Sequence, residues 1–390
     1  MNNDIKIEIL LALPFTLILI LTGLNFTLAW DEGDHMKGID QFKDSFPEFD
    51  LKMYHAPTTP LYFIIFSLFA KIFGSEYWKL RLLNLIIGYL TIVIFFRISK
   101  DLKNQYPFLN TLFFLFFPYY LVLSSLVMTD ILALFFGLLA IRFYLKDDST
   151  RNMFMGSMFS ILSIYTRQFW LFLPAGMLLY SIIRYKTDIL KEPKKILILF
   201  IPILAILPLI LYWKGLSPPA WQEGRFYISN NFSQITSFLL LLGFYFIPFL
   251  IIVKHGFNKK LIFIYLTLVV IYPLSIGYIN QCNGIICQVL TFSSFLYPFL
   301  LFVLLFIGLT IIITYLSSSE YNLKLISLIL SYLGIILLTP WISERYLMVL
   351  VPLLILALFN KIERRTWVYY LWIIIMILNS MVYYIHKIIQ

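Results

Sequence analysis

The chain has 390 residues, of which 61% are hydrophobic and 13% are charged, and its net charge is +10. Soluble domains carry roughly 25% charged residues, so this composition excludes a soluble globular enzyme and predicts an all-α, polytopic membrane protein. Many apolar runs reach the roughly 20 residues that a helix needs to cross a bilayer. The lysines and arginines cluster in short loops between these runs, so the positive charge indicates topology rather than nucleic acid binding.

About 13 apolar segments are predicted to span the membrane, within a single polytopic domain, 1–390. They are 9–30, 81–97, 108–127, 129–145, 153–165, 169–185, 196–213, 236–253, 261–278, 291–316, 325–339, 346–360 and 368–385. A further apolar segment, 59–74, contains Pro60 and Lys71 and is short for a span, so we predict that it lies along the membrane surface. The basic loops then fall on the side of the N-terminus. That side is therefore cytoplasmic, and the loop 31–60 is extracytoplasmic or ER-luminal.

The polar interval 31–60 is the longest in the first half of the chain and the best candidate for a working surface. Apolar side chains recur at helical spacing within it, at Met36, Ile39, Phe42 and Phe46. This pattern predicts a short amphipathic helix that lies along the membrane surface. Asp31, Glu32 and Asp34 mark its N-terminal end, where the helix dipole stabilises carboxylates.

The adjacent acids Asp31 and Glu32, with His35 one turn later, are the first candidates for chemistry. Residues three and four apart on a helix face one point. Such a cluster can abstract a proton, or it can hold a divalent metal such as Mg or Mn through oxygen and imidazole ligands. The sequence leaves these two alternatives open. His55 follows in the same loop, where a purely structural role is an equal alternative.

Three more ionisable residues are predicted at the same membrane boundary. Asp130 begins the apolar run that follows Met128, and an ionisable residue at membrane depth is a functional candidate, with helix capping as the competing explanation. Arg167 and Arg345 occupy tight turns between spans. Arginine binds phosphate bidentately and stays charged, so both are candidates for a lipid-linked phosphate. An ion pair or a snorkelling cation is the alternative for each.

Several segments resemble known membrane enzymes. The stretches WDEGDH, HAPTTPLYFIIFSLFAKIFG and RLLNLIIGYLTIVIFFRISKDL are similar to the GT-C superfamily of membrane glycosyltransferases. The stretches FFPYYLVLSSLVMTDILALFFGLLAI, YTRQFWL and PWISERYLMVLVP resemble, in the same order, segments of the dolichyl-phosphoglucose-dependent alpha-1,2-glucosyltransferases of lipid-linked oligosaccharide synthesis. The stretch PTTPLY is similar to the first-loop motif of that family.

The resemblance implies an inverting transfer of a hexose, such as glucose, from a polyprenyl-phosphate donor to a hydroxyl of a glycan, lipid or protein. It implies that Asp31 is the general base and that Glu32 and Asp130 are supporting acids that orient the acceptor or a metal. It implies a catalytic module at 1–185, and C-terminal helices at 186–390 that complete the donor site. It implies that Arg345 and Arg167 hold the donor phosphate. Further candidates for substrate binding are His35, His55, Glu344, Tyr346 and Gln168.

A multispan transporter or flippase of a lipid-linked or small polar substrate is the alternative function. Transporters carry ionisable residues or broken helices near the bilayer midplane. In this chain the predicted spans are nearly free of such charge, which favours the enzyme. Cys282 and Cys287 are equally compatible with two thiols and with a local disulfide.

Overall fold

The structure is a computed structural model, and it describes residues 3–52, 54, 56–186, 192–221, 239–246, 303, 305–308, 310, 323–336, 344–358 and 366–388. Every regular element among these residues is helical, which agrees with the predicted all-α class. The chain divides into two compact units, Met1–Phe226 with Ile375–Gln390, and Tyr227–Ile374. The catalytic module predicted at 1–185 stays a prediction. Cys282 and Cys287 lie outside the described residues, so their state stays a prediction as well.

The helices carry the following bounds. The first eleven are α1 (Asn3–Thr22), α2 (Glu32–Asp44), α3 (Leu61–Phe73), α4 (Tyr77–Asp101), α5 (Pro107–Leu115), α6 (Pro118–Ser125), α7 (Thr129–Lys146), α8 (Thr150–Thr166), α9 (Phe172–Tyr185), α10 (Pro193–Ala205) and α11 (Leu207–Trp213). Short 3-10 turns cover Gln168–Leu171 and Pro219–Trp221. Later in the chain come α12 (Leu323–Ile336), α13 (Glu344–Leu358) and α14 (Thr366–Ile388).

Several of these helices are apolar enough for a bilayer. Within the described residues, three stretches have the length and hydropathy of a span, namely Asn3–Thr22, Tyr77–Asp101 and Pro193–Trp213. A fourth is the pair α5 and α6, which is bent by 64°. Helices α5 and α6 cover most of the predicted span 108–127, and Pro118 begins the second helix because proline cannot continue the first. The predicted total of about 13 spans stays a prediction.

Helices α1 and α4 run antiparallel. Near the start of α1, Glu8 accepts from Arg97 Nε at 2.9 Å near the end of α4. At the opposite ends, Arg81 Nη1 donates to the Leu24 carbonyl at 2.9 Å. The chain therefore leaves α1 and enters α4 on the same side of the bundle. Because α2 and α3 lie between these two points, this geometry supports the prediction that 59–74 does not cross the membrane.

The first helix ends earlier than predicted. The sequence favours a span over 9–30, whereas α1 covers Asn3–Thr22. Gly23 and Leu24 both have positive φ, +56° and +57°, a left-handed conformation that ends a helix. The following irregular residues expose backbone carbonyls, which Arg81 binds. The acidic pair at 31–32 is therefore carried on a loop beyond the helix.

Helices α2 and α3 pack tightly against each other. The predicted amphipathic helix is present, but its buried residues are Glu32, His35, Gly38, Ile39 and Phe42. Phe46, predicted on the apolar stripe, is 39% exposed because the helix ends at Asp44. A Cβ at Gly38 would lie 2.8 Å from the Phe63 ring, so glycine is needed for this close approach. The polar side chains of Glu32 and His35 therefore lie on the buried face of α2, where apolar side chains were predicted.

The turn at Gln168–Leu171 is fixed by a second close approach. A Cβ at Gly137 on α7 would collide with the buried Trp170 ring. We therefore predict that Gly137→Ala lowers the free energy of unfolding by about 1–3 kcal/mol, the usual cost of overpacking. Thermal unfolding in detergent measures this loss. Gly334→Ala is the matched control, because nothing lies within 4 Å of a Cβ there, and an equal loss in both variants contradicts the prediction.

Candidate active site

A buried ion pair anchors the start of α2. Arg81 Nε and Nη2 donate to Glu32 Oε1 and Oε2 at 2.8 and 2.6 Å, and both side chains are fully buried. The backbone amides of Val127 and Ala29 donate to the same two oxygens, at 2.8 and 3.2 Å. Each carboxylate oxygen of Glu32 therefore accepts two hydrogen bonds from the protein. This arrangement favours an architectural role, and the role of supporting acid stays a prediction.

Arg81 and Asn84 are the functional residues that the sequence reasoning missed. Arg81 also binds the carbonyls of Phe26 and Thr27, at 2.8 and 3.1 Å. Asn84, one turn later, donates to the carbonyls of Leu123 and Leu126 at 2.8 and 2.6 Å. The signal was available, because an arginine and an asparagine three apart in an apolar run mark one polar helix face.

Asp31 stands at the N-terminus of α2 with its side chain exposed. It is the N-cap residue, and its carbonyl accepts from the His35 amide at 3.0 Å. Its side chain does not cap the helix by a hydrogen bond. Because the adjacent Glu32 is locked by Arg81, the position of Asp31 is set by a rigid neighbour. An exposed carboxylate on a fixed backbone is suited to accept a proton from a substrate hydroxyl.

His35 lies one turn deeper than Asp31 and is 5% exposed. Its Nδ1 lies 2.9 Å from the Val127 carbonyl, which can only accept, so Nδ1 carries the proton. Burial lowers the pKa of the imidazole, while the carboxylates of Asp130 and Asp31 oppose that shift. The ring is therefore neutral at pH 7, with Nε2 as an acceptor.

Asp130 and Arg167 form a second buried ion pair. Arg167 Nη1 donates to Asp130 Oδ1, and each residue is 5% exposed. Asp130 Oδ2 is buried and has no hydrogen-bond partner among the described residues. His35 interacts electrostatically with both members of the pair, so the structure brings Asp31, His35, Asp130 and Arg167 into one region. From topology, the sequence predicted that Asp130, Arg167 and Arg345 lie on the same side of the membrane as the acidic loop.

The first loop is pinned to the corner between α8 and α9. Thr59 Oγ1 donates to the Ile164 carbonyl at 2.7 Å. Gln168, predicted to bind substrate, donates through Nε2 to the carbonyls of Pro57 and Leu216 at 2.9 and 3.1 Å. These contacts favour an architectural role for Gln168, which holds the end of the acidic loop beside Arg167.

The remaining predicted residues are described in part. Arg345 and Tyr346 lie at the start of α13 in the second unit, where the guanidinium is 6.0 Å from the Tyr346 ring centroid. The Tyr346 carbonyl accepts from Tyr332. His55 and the side chain of Glu344 lie outside the described residues. The predicted donor-binding roles of these residues stay predictions.

The predicted metal ligands do not fit a metal. In the described portion of the chain, no three His, Cys, Asp or Glu side chains form a group that could hold an ion. Each carboxylate oxygen of Glu32 already accepts two hydrogen bonds from the protein, so Glu32 is poorly suited as a metal ligand. The set Asp31, Glu32 and His35 therefore lacks the convergent ligands that Mg or Mn requires.

Comparison with known proteins gives one family match. The family described as dolichyl-phosphate-mannose-protein mannosyltransferase matches residues 55–213, which is less than half of the chain. No curated protein matches the sequence. The matched region contains Arg81, Asp130 and Arg167. With the all-helical architecture and its apolar helices, the match supports a membrane glycosyltransferase of the GT-C superfamily.

Two solved structures are similar. ArnT from Cupriavidus metallidurans bound to undecaprenyl phosphate is 13% identical and has a TM-score of 0.48, with 89% of this chain and 76% of that chain covered. The same protein in the apo state is 12% identical and has a TM-score of 0.43, with 87% and 76% covered.

Proposed function

We propose that the protein is an inverting hexosyltransferase that uses a polyprenyl-phosphate sugar donor on the extracytoplasmic or ER-luminal side of a membrane. The carrying observation is the exposed Asp31 carboxylate, next to a Glu32 that Arg81 and two backbone amides immobilise. The family match and the undecaprenyl phosphate bound to ArnT add support for a lipid-phosphate donor. The acceptor is a hydroxyl of a glycan, lipid or protein.

The chemical step requires one base and one cation. Asp31 accepts the proton of the acceptor hydroxyl, and the freed oxygen attacks the anomeric carbon of the donor. The bond between that carbon and the phosphate oxygen breaks, and the polyprenyl phosphate leaves with the bonding electrons. Attack opposite the leaving group inverts the anomeric configuration. The base and the leaving-group cation act on developing charge, which is the main source of catalysis in such reactions.

The two candidate cations differ in their surroundings. Arg167 is paired with the buried Asp130 carboxylate, so its charge is already compensated. Arg345 is half-buried at the start of α13, and its guanidinium faces the Tyr346 ring. We assign the leaving phosphate to Arg345 first, on the resemblance of the stretch PWISERYLMVLVP, and to Arg167 second.

The test of the function is a donor panel. The purified protein is incubated with polyprenyl phosphates that carry glucose, mannose or galactose. Bare polyprenyl phosphate serves as a control. Transfer or hydrolysis of one sugar supports a glycosyltransferase. A protein that releases no sugar from any of these donors, yet moves a labelled lipid across proteoliposomes, is a transporter or flippase instead.

Arg345→Ala tests the assignment of the phosphate-binding residue. We expect it to raise the KM for the sugar donor by at least about tenfold, because a charge-assisted bond to phosphate contributes about 1.5–3 kcal/mol. The KM for the acceptor should change little. Donor titration at saturating acceptor measures both values. Arg97→Ala, on the opposite ends of α1 and α4, is the matched control, and equal donor KM values in all three proteins refute the role of Arg345.

A further inference from the structure

Three buried oxygens without a hydrogen-bond partner belong to residues near His35 and the start of α7. Tyr62 Oη, Thr129 Oγ1 and Asp130 Oδ2 are all buried, and none has a hydrogen-bond partner among the residues that the structure describes. The Tyr62 hydroxyl interacts electrostatically with the Asp130 carboxylate, and Thr129 precedes Asp130 at the start of α7. The centroids of the His35 and Tyr62 rings are 6.0 Å apart. We name these four residues the buried polar corner.

Such unpaired oxygens need a physical explanation. Native proteins pair nearly all buried polar groups, and each unpaired one destabilises the fold. The three oxygens come from different elements, because Tyr62 belongs to α3 while Thr129 and Asp130 belong to α7. Their unpaired state points to a polar ligand that supplies the missing donors and acceptors.

The charge of the corner selects the chemistry of that ligand. The Asp130 carboxylate is neutralised by Arg167, and the Tyr62 and Thr129 hydroxyls are uncharged. Nδ1 of His35 is bound to the Val127 carbonyl, which leaves Nε2 as a neutral acceptor. A phosphate would meet no uncompensated cation among these four residues and Arg167. A neutral group with several hydroxyls matches the two hydroxyls, the carboxylate oxygen and the imidazole.

We propose that the buried polar corner formed by His35, Tyr62, Thr129 and Asp130 is a subsite for the neutral sugar ring of the donor, separate from the phosphate-binding arginine. This inference rests on the proposed function and deepens it. Asp130 Oδ2 accepts from a sugar hydroxyl, and the Tyr62 and Thr129 hydroxyls each donate to or accept from the ring substituents. The exposed Asp31 lies one helical turn from His35.

The main test is Tyr62→Phe, which removes one oxygen and keeps the ring. Without a ligand, this variant should unfold at the same temperature as the wild type or higher, because the oxygen it loses has no partner. With polyprenyl-phosphate hexose it should lose about tenfold in kcat/KM, the effect of one buried hydrogen bond. Its affinity for bare polyprenyl phosphate should not change. Thr129→Val repeats the experiment on α7.

Tyr120→Phe is the matched control. Tyr120 is fully buried, and its hydroxyl donates to the Gly88 carbonyl at 2.6 Å, so its removal should lower the unfolding temperature and leave the KM for the donor unchanged. If Tyr62→Phe lowers the unfolding temperature as much as Tyr120→Phe does, the Tyr62 hydroxyl has a structural partner. The sugar subsite is then overturned.

A binding measurement separates this inference from the proposed function. A ligand that binds only the folded state raises the unfolding temperature. Polyprenyl-phosphate hexose should raise that of the wild type more than bare polyprenyl phosphate does, and Tyr62→Phe and Thr129→Val should lose the difference. This readout needs no turnover, so it holds even if the wild type transfers no sugar. An undiminished difference in both variants refutes the subsite.

Discussion

Asp31→Asn is expected to lower sugar transfer by about 10²–10⁴-fold, the usual contribution of a positioned general base. The amide has nearly the same shape as the carboxylate but cannot accept the acceptor proton. Because the Asp31 side chain is exposed and Glu32 holds the adjacent backbone, the unfolding temperature should stay within a few degrees of the wild type. Initial rates at saturating donor and acceptor measure the effect on kcat.

The control for this prediction is Asp44→Asn at the other end of α2. The Asp44 side chain is 75% exposed and lies 3.8 Å from Lys43, a weak contact. Both variants remove one negative charge from the same helix, so they change the surface potential equally. Full activity in Asp31→Asn, or an equal loss in both, eliminates Asp31 as the base. A normal affinity of Asp31→Asn for the donor lipid places the defect in chemistry.

Arg81→Met should have the largest effect on stability of any single change in the first unit. Removal of one partner from a buried ion pair destabilises a protein by about 3–5 kcal/mol, because the other charge stays buried and uncompensated. In this protein the Glu32 carboxylate would be left with only two backbone amides, and the carbonyls of residues 24, 26 and 27 would lose their donor. Denaturant unfolding in detergent measures the loss.

Arg97→Gln provides the comparison for Arg81. Arg97 pairs with Glu8 at 2.9 Å, but its side chain is 50% exposed. Exposed pairs contribute less than about 1 kcal/mol, so this variant should unfold close to the wild type. Adding Glu32→Gln to Arg81→Met should recover part of the stability, since no lone charge remains. A similar small loss for Arg81→Met and Arg97→Gln would contradict the anchoring role.

Several local features of the site could be predicted from the sequence. The amphipathic helix after residue 31 and the acidic residues at its N-terminus follow from spacing and charge, and the prediction that 59–74 does not span the membrane rests on the same charges. The grouping of Asp130 and Arg167 with the acidic loop follows from topology. Each of these features depends either on residues that are close in sequence or on the side of the membrane on which a loop lies. Both can be inferred from the order of the residues.

The tertiary partners could not be predicted in this way. His35 and Glu32 replace apolar residues on the buried face of α2 because Val127 and Arg81 meet them there. Arg81 belongs to α4 and Val127 follows α6, so the spacing of residues within α2 cannot predict either partner. Tyr62 looks like an ordinary aromatic residue in an apolar helix. Only the surroundings of its hydroxyl separate it from its neighbours.

The break between α6 and α7 has one more consequence. Residues 126–128 are non-helical, so the amide and the carbonyl of Val127 are not used in a helix, and they bind Glu32 and His35 instead. The contacts that fix both side chains therefore come from the main chain and do not depend on the chemistry of side chain 127. Evolution can exchange that buried valine for another residue of similar size. Proline is the exception, because it has no amide hydrogen to give to Glu32.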